Sequence, residues 1–254
     1  MATPLSLCVI TRDAADSLEA CLRSVPFAAE CIVVDSGSAD DTVEISRRMG
    51  ARVVEHAWLG FGAQKNFAVA QATHDWVLCL DADERLSPEL AAEIAGLLAS
   101  DAPRAAAFAM PRCNRFLGRW LRHGEGYPDW NTRLFDRRRA RWTEDPVHEH
   151  VVTDDGVARL RGDLLHASAE SIERYLAKQN RYTTLQAAAM HARGEHAGIA
   201  RMVAAPLVRF VRFYLVRLGV LDGIPGLVHI AIGCGNSFVK YAKLRELAAR
   251  EERS

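Results

Sequence analysis

Asp81-Ala82-Asp83-Glu84 closes the apolar run Trp76-Val77-Leu78-Cys79-Leu80. Three acids within four residues, directly after a buried strand, oppose joint ionisation unless a cation lies among them. Carboxylate oxygens suit Mg²⁺ or Mn²⁺, ions that also bridge nucleotide phosphates. Such an ion stabilises charge building up on a departing diphosphate. A solvated turn ahead of the helix starting at Pro88 would use the same residues. A second stretch is Asp35-Ser36-Gly37-Ser38-Ala39-Asp40-Asp41-Thr42. It sets small side chains and backbone amides before a helix N-terminus, where anions bind. Asp35 can accept hydrogen bonds from a base or ribose, while Ser38 or Asp40 would equally serve as a helix cap. His148 and His150 share a face if their run is a strand. Packed or hydrogen-bonded histidines are favoured there over a metal cluster. His166 ends a predicted strand and is a candidate to complete the ion's coordination.

These residues need a scaffold that gathers them. Leu5–Thr11, Cys31–Asp35, Arg52–Glu55 and Asp75–Leu80 read as strands, and Ser17–Val25, Asp40–Met49, Gly62–Ala72 and Pro88–Ala99 as helices. The alternation predicts an α/β fold, a mostly parallel sheet flanked by helices. Ligands bind such sheets beyond the carboxyl ends of the strands, which brings Thr11–Asp13, Asp35–Ser38 and Asp81–Glu84 to one edge. Ala105–Met110, Arg133–Asp136 and Val157–Leu165 read as further strands. From Ser171 the chain reads as a helical C-terminal extension, so domains are expected at 1–168 and 169–254.

Composition narrows the function classes. Lys plus Arg equals Asp plus Glu at 32 each, and no long basic run supports a nucleic-acid partner. The six cysteines form no CxxC pair, so packed thiols are expected rather than zinc or disulfides. No basic leader precedes the short run Leu5–Ile10, and the expected location is cytoplasmic. Between Arg201 and Lys243, six basic residues face one acid, Asp222. The apolar runs Pro206–Val220 and Ile224–Ile232 are too short or too charged to span a bilayer. Peripheral contact with the inner face of the inner membrane and packing against the rest of the protein are both open readings. No GxGxxG follows the first strand, which argues against a dinucleotide oxidoreductase.

The motifs together resemble family 2 glycosyltransferases of GT-A fold, and among them bacterial lipopolysaccharide core enzymes of the β-1,4-glucosyltransferase type. The matching stretches are Ser6–Thr11, Asp35–Thr42, Trp58–Asn66, Asp75–Glu84, Tyr127-Pro128-Asp129 with Arg133-Leu134-Phe135, Val147-His148-Glu149, and Leu221-Asp222-Gly223 with Gly226. The resemblance implies a GT-A Rossmann-like sheet and an inverting, metal-dependent hexosyl transfer, with glucose as the expected sugar. The donor would be a nucleotide diphosphate sugar and the acceptor a heptose hydroxyl of a lipid-anchored core oligosaccharide. Thr11 and Asp35 would line the nucleotide pocket, with Lys65 and Asn66 near the donor. Asp81 and Asp83 would hold Mg²⁺ or Mn²⁺, with Asp81 and Ala82 also at the donor. Arg133 is a candidate diphosphate contact, and Arg112 or Arg115 a contact to a phosphorylated acceptor. Family members carry Asn-Glu where this chain has Asp13-Ala14, so Asp13 would replace the missing acid. For the base that removes the acceptor proton, Glu149 comes first, Asp145 second and Asp129 third. The rivals are a sugar nucleotidyltransferase and a non-catalytic sugar-nucleotide or membrane-binding protein.

Overall fold

Seven consecutive buried residues, Leu5–Thr11 (β1), form an interior strand of the sheet. A strand covered on both faces must be apolar along its whole length. In this computed structural model, which describes residues 3–99, 105–145, 149–167 and 171–251, β1 pairs in parallel with Glu30–Asp35 (β2) and Trp76–Asp81 (β4), and β2 with Arg52–Glu55 (β3). The linking helices are Ala15–Arg23 (α1), Thr42–Arg48 (α2) and Phe61–Ala70 (α3). Then come Glu84–Leu86 (β5) and Pro88–Ala99 (α4), followed by Ala107–Phe116 (β6), Arg119–Trp120 (β7), Asp129–Asp136 (β8), Ala140–Trp142 (β9), Val151–Thr153 (β10), Val157–Arg159 (β11) and Leu164–His166 (β12). The sheet order is β3-β2-β1-β4-β8-β6-β12-β5. Beyond β4 the pairs β4–β8, β6–β8 and β12–β5 are antiparallel, while β11 lies parallel to β6 off this path.

The pleat sends successive side chains to opposite faces. Leu5, Leu7, Val9, Leu78 and Leu80 pack with Leu18, Leu90 and Ile94 on one face. Cys8, Ile10, Val77 and Cys79 pack with Ala68, Phe135 and Trp142 on the other. The six cysteines are free, and Cys8, Cys21, Cys79 and Cys113 are buried. The expected strand Val157–Leu165 is two strands rather than one, β11 and β12. Between them Gly162 meets α4 so closely that a Cβ would lie 2.4 Å from the Leu90 backbone, and Arg161 and Gly162 donate their N–H groups to Glu93. That contact turns the chain. β6 is also longer than expected, continuing from Met110 to Phe116.

Two compact units result: Met1–Cys113 with Pro128–Ala167, and Asn114–Tyr127 with Ser168–Ser254. The regular elements of the second, among its described residues, are helical apart from the short pairing of Arg115 and Phe116 with Trp120 and Arg119. It comprises Ile172–Ala192 (α5), Ile199–Phe210 (α6), a π turn over Val211–Val216, a 3₁₀ turn over Gly219–Asp222, and Gly223–Glu251 (α7). Ser171 caps α5 by accepting from Arg174 N–H. Ala187, Met190, Ala197, Tyr241 and Leu244 form its core. Asp222 is a structural residue here, accepting from the Arg122 and His123 N–H groups and pairing with the His123 ring. Among the described residues no single helix is long and apolar enough to cross a membrane.

Gly62, in the first turn of α3, sits where a Cβ would approach the Thr143 carbonyl oxygen to 1.9 Å. Gly62→Ala is therefore expected to cost about 1–3 kcal/mol by forcing backbone apart. Gly96→Ala meets nothing within 4 Å and should gain about 0.5–1 kcal/mol. Thermal unfolding of the two variants checks the contrast; equal shifts would mean that the α3–Thr143 approach is not tight.

Candidate active site

The carboxyl ends of β2, β1 and β4 lie in one row, with Thr11 opposite Asp35 and Ile10 opposite Asp81. Adjacent strands are about 4.8 Å apart, so Asp35 and Asp81 stand roughly 10 Å from each other across β1. Asp35 is buried, and its carboxylate accepts from Gly37 N–H, Ser38 N–H and the Ser38 hydroxyl. It thus holds its own loop in a turn. Gly37 has φ +84°, a conformation glycine adopts without steric cost. Asp13, also left-handed at φ 50°, accepts from Ala39 N–H, and its own N–H donates to Ser38 Oγ. The loops after β1 and β2 are thereby laced together. Thr11 Oγ1 is buried and has no partner among the described residues. A buried hydroxyl without a partner is costly unless a ligand satisfies it.

The acidic triplet is resolved by side chains. Glu84, 1% exposed, takes two hydrogen bonds from Arg133: Nε at 2.9 Å and Nη2 at 2.8 Å. Arg133 Nη2 also reaches Asp81 Oδ2 at 3.1 Å. Lys65 Nζ lies 3.1 Å from Asp81 Oδ1 and 2.9 Å from Glu149 Oε1. Both cations stack on Trp142, at 4.5 Å for Lys65 and 5.3 Å for Arg133 from the indole ring. Burial pushes the Asp81 carboxyl up, but Arg133 and then Lys65 outweigh it and hold the group at about 2. Burial opposes the charge of Arg133 as well, yet Glu84 and Asp81 keep its guanidinium firmly protonated. The triplet's repulsion is therefore relieved by side chains, and repulsion by itself does not call for a metal at Asp81 and Asp83. Arg133 and Lys65 supply the countercharge for Asp81 and Glu84.

Asp83 stands outside that network. Its side chain is 39% exposed, and its Oδ2 lies 3.1 Å from His166 Nε2. The antiparallel pairing of β12 with β5 sets His166 opposite Glu84 and so beside Asp83. Among the described residues no cluster of three or more His, Cys, Asp or Glu side chains is placed to hold a metal. A carboxylate and an imidazole remain. Mg²⁺ binds in that manner, through one or two protein ligands, substrate phosphates and water. Asp83 and His166 fit such an ion as a pair, and they do not fit a closed all-protein cage.

Other candidates fall elsewhere. Asn66 clamps the Trp142 backbone, donating to its carbonyl and accepting from its N–H. It thus fixes the platform under Lys65. Ala82 lies between the two aspartates, partly buried against the core. Asp129 is paired with Arg112 at 2.8 Å. Asp145 is exposed beyond β9. Arg115 belongs to the helical unit and donates to Gly118 O. His150 exchanges hydrogen bonds with Thr143 through its backbone. His148 lies outside the described residues. Two functions escaped the sequence reading: Trp142 as a cation platform and Glu84 as the anchor of Arg133. A lone tryptophan beside Thr143-Glu144-Asp145 carries no signal of cation stacking.

Asp81→Asn is expected to destabilise by about 2–3 kcal/mol at pH 7. That is less than the 3–5 typical of a fully buried broken pair, because the side chain is 29% accessible. The folded pKa lies below the unfolded one, so the contribution is complete above about pH 4. It is lost as pH falls through about 2. Denaturant unfolding of both proteins at pH 7, 4 and 2.5 checks this; a gap that widens in acid would contradict it.

Residues 6–164 match the profile of Glycosyl transferase family 2. A protein of Rickettsia bellii named as an uncharacterized glycosyltransferase is 33% identical, covering 96% of this chain and 87% of its own length. The lipopolysaccharide core biosynthesis glycosyltransferase LpsC of Rhizobium meliloti is 29% identical over 98% of this chain and 95% of its own. Among solved structures, the mannosyltransferase PcManGT of Pyrobaculum calidifontis, in complex with GDP-Man and Mn²⁺, superposes with a TM-score of 0.52. It has 17% identity and covers 98% of this chain and 87% of that one. It shares the GT-A fold.

Proposed function

The chain belongs to glycosyl transferase family 2, and on that premise we propose an inverting hexosyl transfer, with glucose the first expectation. The donor is a nucleoside diphosphate sugar, and the acceptor is a heptose hydroxyl of the lipopolysaccharide core. The observation that carries the reading is the row Asp35–Thr11–Ile10–Asp81, with the Asp83–His166 pair beyond its end. The row has the span of a nucleotide, and the unpaired Thr11 hydroxyl is a contact such a ligand would complete. The likeness to LpsC supports a lipopolysaccharide acceptor. The GDP-Man and Mn²⁺ of PcManGT support a nucleotide-sugar donor and a divalent ion. A lipid-anchored acceptor would place the enzyme peripherally on the inner face of the inner membrane.

Asp83 and His166 would hold Mg²⁺ or Mn²⁺, whose charge would offset that of a leaving diphosphate. The rest is done by this chain's own groups. Glu149 accepts the proton of the acceptor hydroxyl as that oxygen bonds the anomeric carbon. The anomeric bond to the diphosphate breaks, and its electron pair leaves on the phosphate oxygen. Lys65, 2.9 Å from Glu149, holds that carboxylate in position. Asp81 and Arg133 hold Lys65 and the β4 terminus in place. No covalent enzyme intermediate is needed.

Glu149→Gln is expected to lower kcat by about 10²–10⁴-fold, the usual contribution of a general base, with the donor KM little changed. Asp145→Asn should stay within a few-fold. If Asp145→Asn is the more damaging, the base has been misassigned. Asp83→Ala should abolish turnover in a folded protein, and so should a chelator. A screen of nucleotide sugars with Mn²⁺ identifies the donor by thermal stabilisation, about 2.7 kcal/mol at a hundredfold excess over Kd. Full turnover with a chelator present would count against the metal role.

A further inference from the structure

The helical unit exposes an apolar stripe that nothing in it covers. Ile199, Val203, Leu207, Val211 and Leu215 recur every four residues through α6 and the π turn, and each is between 49% and 64% exposed. That spacing keeps them near one face of the helix. At the following turn, Leu218, Leu221 and Ile224 are also more than half exposed. Apolar surface this continuous marks an interaction site.

Near the stripe, within the same unit, lies a cavity of about 360 Å³ with Arg201, Arg209, Arg212, Lys240, Phe213 and Tyr241 in its lining. The cations are pre-set on the rings. Arg201 and Lys240 lie 5.1 and 4.8 Å from the Tyr241 ring, and Arg209 and Arg212 lie 5.6 and 5.4 Å from that of Phe213. Arg209 is held by Glu125 and donates to Ser237 Oγ at 3.1 Å. No carboxylate among the described residues pairs with Arg201, Arg212 or Lys240. Four cations stand against one acid, and Val208, 64% exposed, lines the same cavity, a chemistry that suits a phosphate joined to a hydrocarbon. Guanidinium forks match phosphate oxygens, and long basic side chains on an apolar helix face reach the headgroup layer.

We propose that α6 and the turn after it lie in the interface of an anionic bilayer, with a phospholipid phosphate in the Arg201–Arg212–Lys240 cavity and acyl chains against the Ile199–Leu215 stripe. The inference rests on the peripheral membrane reading above. It adds a lipid class and a defined site, and it is independent of the transfer chemistry.

The full chain is sedimented with vesicles of phosphatidylcholine alone and of phosphatidylcholine with phosphatidylglycerol. Strong binding to the anionic vesicles and weak binding to the neutral ones is expected. Each cation at an anionic surface contributes roughly a factor of five. Arg212→Gln with Lys240→Gln should therefore weaken binding about twentyfold or more. Arg174→Gln with Arg181→Gln removes as many charges from exposed positions of α5 and should cost clearly less. Leu207→Glu with Leu215→Glu should abolish binding in a protein whose circular dichroism melt is retained. Equal losses from the two charge pairs would reduce the effect to diffuse attraction and overturn the site. Equal binding to both vesicle types would overturn the anionic requirement while sparing the membrane reading. Binding to neither would sink both. Full competition by millimolar inorganic phosphate would assign the cavity to a soluble phosphate and overturn the lipid.

Discussion

Two cations stacked on one indole decide where three carboxylates can be. Lys65 and Arg133 lie over Trp142 and between them hold Asp81, Glu84 and Glu149. The members of this network come from distant places: α3, β4, β5, β8, β9 and the segment just before β10. A buried charge is tolerated only when it is paired and hydrogen-bonded, so the network cannot form piecemeal. If Trp142 loses its place, both cations lose their platform and the end of β4 loses its countercharge. This explains the secondary supports around it. Asn66 clamps the Trp142 backbone, and Gly62 lets α3 press against Thr143.

The same network sorts the acidic triplet by role. Asp81 and Glu84 are paired with internal cations at the end of β4 and the start of β5. Asp83 remains available, partly open and next to His166. Three acids close in sequence thus end in two different electrostatic environments. Asp83 lies in the turn between β4 and β5, while Arg133 on the antiparallel strand β8 reaches the strand residues Asp81 and Glu84. Asp35 shows the same economy at the other end of the row, where a buried carboxylate is satisfied by the turn it organises.

The helical unit follows a different logic. Its core is small, and its polar anchors are inward: Asp222 on the Arg122–His123 backbone, Glu125 on Arg209, and Lys243 on Asn180, Thr183 and Thr184. With those residues spent internally, the outer face of α6 is left apolar and the cavity beside it cationic. That division of polar groups suits a surface meeting an amphipathic partner better than one facing bulk water.

Local pattern alone determined a large part of this protein. Runs such as Leu7–Ile10 and Trp76–Leu80 are apolar throughout, as a strand covered on both faces requires, and Pro88 marked its helix start to the residue. From those elements the shared edge of Thr11, Asp35 and Asp81 followed by topology. The sequence also showed an acidic triplet, a basic C-terminal segment and a family likeness. It did not show which charge meets which. Pairing Arg133 with Glu84 spans 49 positions, Lys65 with Glu149 84, and His166 with Asp83 83. Such contacts are set by strand register and by a close helix approach, neither of which leaves a local periodicity. The triplet's repulsion was legible; that side chains from α3 and β8 relieve it was decided only when the sheet closed, because Coulomb interactions depend on distance in space and not along the chain.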